Sequence, residues 1–459
     1  MRSNAGARLD RLPMSSFHHR LIWLIGLGIF FDTFDLSLMS GVLGAVMAKH
    51  WSTLQLNGLF ISSTFLGMAI GAFLCGILGD RFGRRFTYQF NLLVFGLASI
   101  AAAFAPSMIV LIVIRGIMGI GLGAEYVAGY SLLTEFIPPS VRGRYIAIVG
   151  IVSMAAGTVT AFIGYVVIPA LGWQAMFVIG GIGALVVWYL RKKLPESPRW
   201  LESVGRTQEA DDVISHIEAE IATGGVTLAP VPPGPPIAPS NANLGTLFAP
   251  GIRQRTLMIM FLNVVMGAAN YGFVTWIPTF LVQQGMDVSK SLGYSAVMSI
   301  GGICGPLLAF WIADRVGRKP AIVATCIVAA VIGLCYGFVH DEVALLACGF
   351  LMIGSILLLL TLGISIYGPE LFATDYRMRA NGVGQAFGRL VTVFIPFAVV
   401  ALFSGYGVLG VVGTLSALLV LAAIVVAVWG VETRHRSLEA IADDVGQPSV
   451  STVPVAPRA

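Results

Sequence analysis

Long apolar runs alternate with short polar segments along almost the whole chain. Twelve of these runs hold 18 or more predominantly apolar residues: 21–48, 54–78, 86–105, 107–136, 145–170, 173–190, 255–283, 291–312, 320–339, 343–369, 380–404 and 406–431. About 20 such residues allow a helix to cross the hydrocarbon core of a bilayer. The pattern therefore predicts an all-α membrane protein with twelve transmembrane helices, six on each side of a central polar segment.

The segments between these runs contain a repeat. Residues 78–85 read Leu-Gly-Asp-Arg-Phe-Gly-Arg-Arg, and residues 312–319 read Ile-Ala-Asp-Arg-Val-Gly-Arg-Lys, at an offset of 234. A second set follows at an offset of 235, in which Glu135, Arg142 and Arg144 correspond to Glu370, Arg377 and Arg379. Two landmarks at nearly one offset indicate a duplicated unit of about half the chain. Duplicated helical bundles are typical of secondary transporters.

The repeat divides the chain into five parts. Residues 1–20 form a polar cytoplasmic arm, residues 21–194 the first six-helix bundle and residues 253–433 the second. Between the bundles, residues 195–252 are predicted to form a cytoplasmic loop with one surface helix or a pair, followed by a linker rich in proline at 230–236. Residues 434–459 form a cytoplasmic tail. His18 and His19 lie on the polar arm, where we expect both to be solvated.

Composition and charge agree with the membrane assignment and orient it. Hydrophobic residues make up 57% of the chain and charged residues 11%. If both termini are cytoplasmic, 24 of the 28 Lys and Arg residues lie on that side, Arg115 and Arg389 lie inside helices, and Lys49 and Lys290 lie outside. The positive-inside rule therefore predicts a multi-pass protein of the plasma or inner membrane with this orientation. The net charge of +5 follows from the same bias and requires no nucleic-acid partner. We expect a monomer in the bilayer whose partner is a small-molecule substrate.

The sequence shows no pattern that is typical of an enzyme active site. The five cysteines have no paired spacing, no nucleophile and base stand together, and the glycine-rich residues 119–123 lie inside an apolar run with no strand before them. We therefore expect no catalytic residue, no metal and no cofactor, and a proton as the coupling ion.

Ionisable residues inside the predicted helices are the candidate coupling groups. A carboxylate at this depth is costly, so it is protonated, paired or in contact with water. Asp32 and Asp35 share one helix face, and counting residues from the helix ends places Asp35 and Arg115 at comparable depth, where they can meet. Asp32 is then either a second titrating group or part of a cavity wall. Glu125 lies on another face from Arg115, so it either pairs with a neighbouring helix or relays a proton inward.

The second half carries mainly neutral groups at the corresponding depth. Asn270, Tyr271 and Gln385 are candidates for substrate binding. Arg389 is the only fixed cation predicted within the helices of this half. It either faces a central cavity, where it would hold a carboxylate through two hydrogen bonds, or extends to the cytoplasmic interface. We infer that proton coupling belongs to the first half and much of substrate recognition to the second.

The repeated loop has the chemistry of a conformational latch. An Asp lies where a helix ends, a Gly permits a tight turn, and the Arg side chains can pair with carboxylates of a neighbouring bundle. The residues predicted to form this latch are Asp80, Arg81, Gly83, Arg84, Asp314, Arg315, Arg318, Glu135 and Glu370.

Three motifs give the chain a family resemblance. Residues 76–85 contain the complete pattern Gly-x-x-x-Asp-Arg-x-Gly-Arg-Arg, residues 115–123 place Arg before repeated glycines, and residues 195–201 read Pro-Glu-Ser-Pro-Arg-Trp-Leu. In these segments the chain resembles the major facilitator superfamily, and within it the metabolite and organic-acid proton symporters related to sugar porters. The glutamine-rich hexose stretch of sugar porters is missing from residues 265–273, and the Gly-Pro pattern of drug exporters is absent from residues 150–157.

The resemblance implies a twelve-helix transporter that works by alternating access. In related proton-coupled porters the Asp at the place of Asp35 is the proton site and the Arg at the place of Arg115 is its partner. The resemblance thus implies a proton symporter that imports a small organic solute, with an organic or aromatic carboxylate favoured. The alternatives are a sugar or polyol facilitator and a transport-inactive receptor with the same fold.

Overall fold

The computed structural model describes residues 4–223, 227–231, 243–283, 286–339 and 341–443. In this part of the chain every regular element is helical, so the predicted all-α fold is confirmed. The first half and the following loop contain α1 Ala5–Asp10, α2 Ser16–Ala48, α3 Leu54–Phe82, α4 Arg84–Ala103, α5 Met108–Phe136, α6 Arg142–Leu171, α7 Gln174–Arg191, α8 Pro198–Ser203 and α9 Thr207–Thr223.

The second half contains ten further α-helices among the described residues. They are α10 Ile252–Gly272, α11 Ile277–Gln283, α12 Val288–Ser299, α13 Gly301–Val316, α14 Arg318–Phe338, α15 Glu342–Leu359, α16 Gly368–Glu370, α17 Arg377–Thr392, α18 Ile395–Trp429 and α19 Leu438–Asp443. Short 3-10 helices cover Leu244–Phe248 and Val274–Trp276, and a π-helix covers Leu360–Tyr367. Most of the predicted proline-rich linker and the end of the tail lie outside the described residues.

Eleven helices in the described residues are long and apolar enough to cross a membrane. The predicted run at 380–404 is not among them, because α17 is polar and ends at Thr392 before α18 begins at Ile395. α18 then continues to Trp429 through a kink at Gly407, whose φ of 64° interrupts the helical backbone. The kink lies close to the predicted boundary between the runs 380–404 and 406–431. The part of α18 before the kink therefore corresponds to the end of the first of these runs, and the part after it corresponds to the second.

Small residues let the helices of the first bundle approach closely. A Cβ atom at Gly67 of α3 would lie 2.1 Å from the Gly116 carbonyl oxygen of α5, and one at Gly123 of α5 would lie 2.0 Å from the carbonyl oxygen of Met68. Such contacts have no room for a side chain. They explain why apolar helices with repeated glycines pack tightly where lipid offers no hydrophobic driving force.

One end of the molecule carries both chain termini and the central loop, and we call it the terminal face. The two bundles meet there. There α3 crosses α17, and α6 crosses α13. A Cβ atom at Gly382 of α17 would lie 2.5 Å from the Ala72 carbonyl oxygen of α3, and one at Gly143 of α6 would lie 2.8 Å from the Cβ of Ala313. The bundles are therefore in backbone-level contact at this face.

Four short helices cover the terminal face. The central loop forms the pair α8 and α9, and α1 packs on both of them. Arg199 of α8 is fully buried, donates hydrogen bonds to Asp10 (2.6 Å) and to the Gly6 carbonyl (3.2 Å), and contacts Glu439 of α19. The expectation of a solvated His18 was wrong, because α2 begins at Ser16 and buries that side chain completely.

Candidate transport site and terminal gate

A cavity of about 450 Å³ lies between the two bundles. It is large enough for a small organic molecule. Both halves contribute to its wall, and all four residues predicted to bind substrate line it: Asn270, Tyr271, Gln385 and Arg389. Thr33 and Ser37 of α2 and Tyr126 of α5 face them from the first half. The wall therefore combines aromatic rings, amides and hydroxyls with aliphatic side chains.

Arg389 is the only charged residue in the described cavity wall. Its Nη1 donates a hydrogen bond to the Tyr271 hydroxyl over 3.2 Å, and the Tyr271 ring packs edge-on against Phe65 of the opposite bundle at 4.8 Å between ring centres. Of the two alternatives for Arg389, the structure shows the cavity-facing one. A guanidinium with further donors free to bind a carboxylate thus lies in the wall of the cavity between the bundles.

Asp35 and Arg115 form a buried ion pair inside the first bundle. Arg115 Nη1 donates to both carboxylate oxygens of Asp35, at 2.8 and 2.6 Å, and its Nε donates to the Thr64 hydroxyl at 3.1 Å. The guanidinium also lies over the Phe60 ring, 5.0 Å from its centre. The counting of helical depth had predicted this contact, and the pair holds α2 against α5.

Asp32 lies about one helical turn before Asp35 and, unlike Asp35, has no paired cation in the described part of the chain. Its side chain is 2% exposed, and neither carboxylate oxygen has a hydrogen-bond partner among the described residues. The next residue, Thr33, lines the cavity and hydrogen-bonds to Ser153 at 2.6 Å. The charged groups that act on Asp32 are Glu125, Arg191, Asp35 and Arg389.

Glu125 has a partner that the sequence analysis missed. Arg191, at the end of α7, lies 2.5 Å from the Glu125 carboxylate and is fully buried. Arg191 was one of the cations assigned to the cytoplasmic side, and the structure shows it buried in the bundle, where it donates hydrogen bonds to the carbonyls of Leu24 and Ile25 of α2. This cluster in the first bundle therefore contains three buried carboxylates, Asp32, Asp35 and Glu125, and two buried arginines, Arg115 and Arg191. Asp32 is the acid of the cluster that has no hydrogen-bonded cation among the described residues.

The loop of the first half lies in a network that joins the bundles. Arg84 donates to Asp80 (3.0 Å) and to Glu135 (2.9 Å) within the first bundle. Across the interface, Arg377 Nη1 donates to Glu135 at 2.9 Å, and the backbone N–H of Arg379 donates to Asp80 at 3.0 Å. All five groups are wholly or largely buried. We call this network and its counterpart the terminal gate.

The second half repeats the arrangement with different distances. Arg318 pairs with Asp314 at 2.9 Å and with Glu370 at 3.1 Å. Asp314 accepts the backbone N–H groups of Gly143 (3.1 Å) and Arg144 (2.8 Å) from the opposite bundle. The cross-bundle partner of Glu370 is Arg142, but it lies 3.8 Å away. The repeat had marked Arg142, Arg377 and Arg379 without showing their partners.

Two predicted latch residues lie outside the gate. Arg81 and Arg315 are exposed, and each guanidinium lies over a neighbouring ring, that of Phe82 or of Trp311, at 5.3 Å. They lie in the last turns of α3 and α13 and take no part in the buried ion pairs of the gate, contrary to the prediction that they belong to the latch. Gly83 has a turn role, since its φ of 100° is in the left-handed region and a Cβ would lie 2.2 Å from the Glu196 carboxylate.

The short helices couple the chain ends to this gate. Arg199 Nε donates to the Glu135 carbonyl at 3.0 Å, and Trp200 Nε1 donates to the Asp80 carbonyl at 3.1 Å. Burial raises the pKa of Asp10, against the attraction of Arg199. Burial acts in the same direction on Glu439, but there the attraction of Arg199 outweighs it and lowers the pKa of that carboxyl.

Two helical bundles around a central cavity, closed at one face by buried ion pairs, form the architecture of a membrane transporter. The chain belongs to the Major Facilitator Superfamily, whose sequence profile matches residues 25–374. It is 37% identical to the inner membrane metabolite transport protein YdjE of Escherichia coli over 443 residues, covering 95% of this chain and 98% of that one. It is 32% identical to the niacin transporter NiaP of Acinetobacter baylyi over 445 residues, covering 95% and 99%.

A solved structure shows the same fold. The proton:xylose symporter XylE bound to 6-bromo-6-deoxy-D-glucose superposes with a TM-score of 0.76 at 18% identity, covering 93% of this chain and 98% of XylE. The predicted membership in the superfamily is confirmed by the family profile and the relatives, and this structure confirms the fold.

Proposed function

We propose that the protein is a proton-coupled symporter that imports a small organic carboxylate, with aromatic monocarboxylates favoured. The observation that carries the proposal is the charge arrangement at the cavity. One buried acid, Asp32, has no cation of its own, and the charged group in the described cavity wall is Arg389 of the opposite bundle. A proton and an anionic substrate are the two ligands that complete this arrangement.

The cavity suits a flat anion. Arg389 and the Tyr271 hydroxyl lie together and can hold one carboxylate through charge-assisted hydrogen bonds. The rings of Tyr126 and Tyr271 and the aliphatic wall can enclose an aromatic body, while Asn270 and Gln385 can bind ring substituents. The similarity to a niacin transporter supports this class, since niacin is an aromatic monocarboxylic acid.

Competition for Arg389 supplies a coupling mechanism. When Asp32 is ionised, Arg389 is among the cations that offset its charge. A substrate carboxylate bound to Arg389 introduces a second negative charge beside Asp32, which favours its protonated form. Substrate and proton then enter the cavity together. Asp35 was the proton site implied by the family resemblance, but its carboxylate is held by Arg115 through both oxygens, so the geometry favours Asp32.

The orientation follows from the positive-inside rule. The terminal face carries the basic loops, and we propose that it is cytoplasmic. A closed terminal gate then corresponds to a conformation in which the cytoplasmic exit is shut. Opening α3 against α17 and α6 against α13 would release substrate and proton inward.

Uptake into proteoliposomes tests the proposal. The purified protein is reconstituted, and uptake of radiolabelled benzoate, nicotinate and xylose is measured with and without an inwardly directed proton gradient. We expect gradient-driven accumulation of a carboxylate. Asp32→Asn should abolish accumulation and retain exchange, because a permanently neutral group cannot cycle its proton, while Asp212→Asn on the exposed face of α9 should behave like the wild type.

Three outcomes would contradict the proposal. Uptake that ignores the gradient would indicate a facilitator, and selective xylose uptake would favour the sugar or polyol alternative. Accumulation that persists in Asp32→Asn and is lost in Asp35→Asn would return the proton site to Asp35. Binding of a carboxylate without any movement across the membrane would favour a receptor.

A further inference from the structure

A second cavity, of about 740 Å³, opens where the first bundle reaches the terminal face. It lies between the beginning of α4, the end of α7 and the helices α8 and α9. The residues in its wall fall into a basic end and an aromatic side: Phe82, Arg85, Phe86, Gln89, Phe90, Leu93, Trp188, Lys192, Pro195, Glu196, Leu201, Arg206, Glu209 and Val213. The transport cycle described above does not use this cavity.

The basic end has cationic groups with free donors. Lys192 has no carboxylate partner among the described residues, and its ammonium lies 4.0 Å from the centre of the Trp188 ring. Arg85 is exposed and gives one Nη2 hydrogen bond to the Lys192 carbonyl at 2.8 Å. Arg206 also faces the cavity but is paired with Glu209 at 2.5 Å.

The remaining polar groups offset only part of this charge. The Glu196 carboxylate accepts the backbone N–H groups of Arg84 (3.0 Å) and Arg85 (3.1 Å) and keeps its negative charge, so the three cations and two carboxylates of the described wall leave one net positive charge. The side-chain nitrogen of Gln89 is buried and has no acceptor among the described residues. The cavity therefore presents two cations and an unused amide donor to an occupant, and this arrangement fits an anion.

The aromatic side runs from the end of α3 along the exposed surface of α4. Phe82, Phe86 and Phe90 follow each other at four-residue spacing, with ring centres 5.6 and 5.9 Å apart. They are 50%, 48% and 45% exposed, and in a spanning helix such a surface contacts lipid. Leu93 and Trp188 extend it. This column leads from the basic end into the depth of the bilayer.

The repeat shows that the fold alone does not require this column. At the offset of 234, the positions of Phe82, Phe86 and Phe90 are occupied by Val316, Pro320 and Ala324. Arg85 corresponds to Lys319, so the cation is kept where the aromatic column is not. The combination of cations and stacked rings is specific to the first half.

We propose that this cavity binds one anionic phospholipid, with its phosphate at Arg85 and Lys192 and an acyl chain along the phenylalanine column. Basic pockets at the ends of transmembrane helices recognise anionic headgroups, and aromatic side chains at the interface pack on the glycerol and upper acyl region. Glu196 joins the cavity to the terminal gate, because it holds the backbone at Arg84. The lipid thus binds directly beside the gate.

Native mass spectrometry of the delipidated full-length protein tests the proposal. Phosphatidylglycerol and phosphatidylcholine with identical acyl chains are titrated, and the fraction with one bound lipid is compared. We expect the wild type to prefer phosphatidylglycerol. Each juxtamembrane cation contributes roughly fivefold to the affinity for an anionic lipid, so Arg85→Gln with Lys192→Gln should weaken phosphatidylglycerol binding about 30-fold. Phosphatidylcholine binding should change little.

The matched control is Arg315→Gln with Lys319→Gln, which removes the same charge from the corresponding loop of the second half. An equal loss in this control would show that general surface charge attracts the lipid and would overturn the proposal. Equal affinity of the wild type for the two lipids would do so as well. Soluble glycerol phosphate should fail to displace the lipid, since it lacks the acyl chain; displacement at equal concentration would reassign the cavity to a soluble anion.

Discussion

Replacing Glu135 by glutamine separates the structural from the conformational role of the terminal gate. Glu135 accepts hydrogen bonds from Arg84 of its own bundle and from Arg377 of the other, and all three side chains are fully buried. The contact with Arg84 lies within one rigid bundle and persists when the gate opens. The contact with Arg377, at 2.9 Å, exists only while the bundles touch at the terminal face. Glu135→Gln therefore weakens the closed state more than the open one.

The size of the effect follows from the single cross-bundle contact. A hydrogen bond between charged groups contributes roughly 1.5–3 kcal/mol to the state in which it forms. Glutamine keeps an acceptor oxygen but loses the charge, so most of this contribution disappears. The ratio of closed to open molecules should fall by about 10- to 150-fold.

Distance measurements between spin labels can detect such a change. Cysteines introduced at Lys193 and Gln254, in a background without the native cysteines, place one label on each bundle at the terminal face, where both side chains are exposed. Pulsed electron spin resonance in nanodiscs then gives the populations of short and long distances. We expect Glu135→Gln to increase the long-distance population strongly.

The repeat provides the control for this measurement. Glu370→Gln makes the same chemical change at a residue that is equally buried and is bound within its own half by Arg318 and Thr433, but its cross-bundle Arg142 lies 3.8 Å away. We expect a clearly smaller shift. The same shift in both variants, or none in Glu135→Gln, would refute the assignment of the Arg377 contact as the state-specific part of the gate.

Two further predictions concern the first bundle and the topology. At Gly28 a Cβ would lie 1.8 Å from Arg191 Nη2 and 2.5 Å from the Glu125 carboxylate. Gly28→Val should therefore separate this buried pair and destabilise the protein by about 3–5 kcal/mol. Thermal unfolding in detergent measures this change, and an unchanged midpoint would contradict the prediction. In intact cells without native cysteines, Pro106→Cys should react with an impermeant maleimide and Ala222→Cys should not, because the two positions lie at opposite ends of the spanning helices; the reverse labelling would invert the proposed orientation.

Some of the site follows from the sequence because helical geometry fixes it. Asp35 and Arg115 lie on helices whose ends the apolar runs define, so a rise of about 1.5 Å per residue places them at one depth. The turn at Gly83 is predictable for a similar reason, since the motif requires a chain reversal between two spanning helices. In each case local geometry determines the result.

Other contacts depend on how helices pack, which a single sequence does not encode locally. Arg191 is the last residue of α7 and precedes Lys192. In the sequence it cannot be distinguished from other cations that mark the boundary of a membrane helix. It becomes a buried partner of Glu125 only because α2 crosses over it. Likewise the repeat offset of 235 identifies Arg377 as the counterpart of Arg142. Its hydrogen bond to Glu135 depends on the contact between the two bundles, which the repeat does not reveal.

The duplicated chain keeps its symmetry in the gate and loses it around the cavity. Asp80, Arg84 and Glu135 have the counterparts Asp314, Arg318 and Glu370, and both sets contain the same ion pairs within their bundles. Around the cavity the corresponding positions differ in charge. At the sequence offset of 235, Asp32 corresponds to Gly267, Asp35 to Asn270, and Arg389 to Met154.

This division has a physical reason. A gate that must open and close between two similar bundles can use equivalent contacts on both sides, since each set contributes to the same closed state. A substrate and a proton that are moved together need unlike groups, an acid for the proton and a cation for the anionic substrate, close enough for their charges to interact. Gly267, Asn270 and Met154 all line the cavity, whereas of their repeat counterparts Arg389 is in the described wall and Asp32 and Asp35 are buried behind it in the first bundle. An acid introduced at Gly267 would give both bundles a carboxylate at this level and would compete with the substrate for Arg389 from its own side.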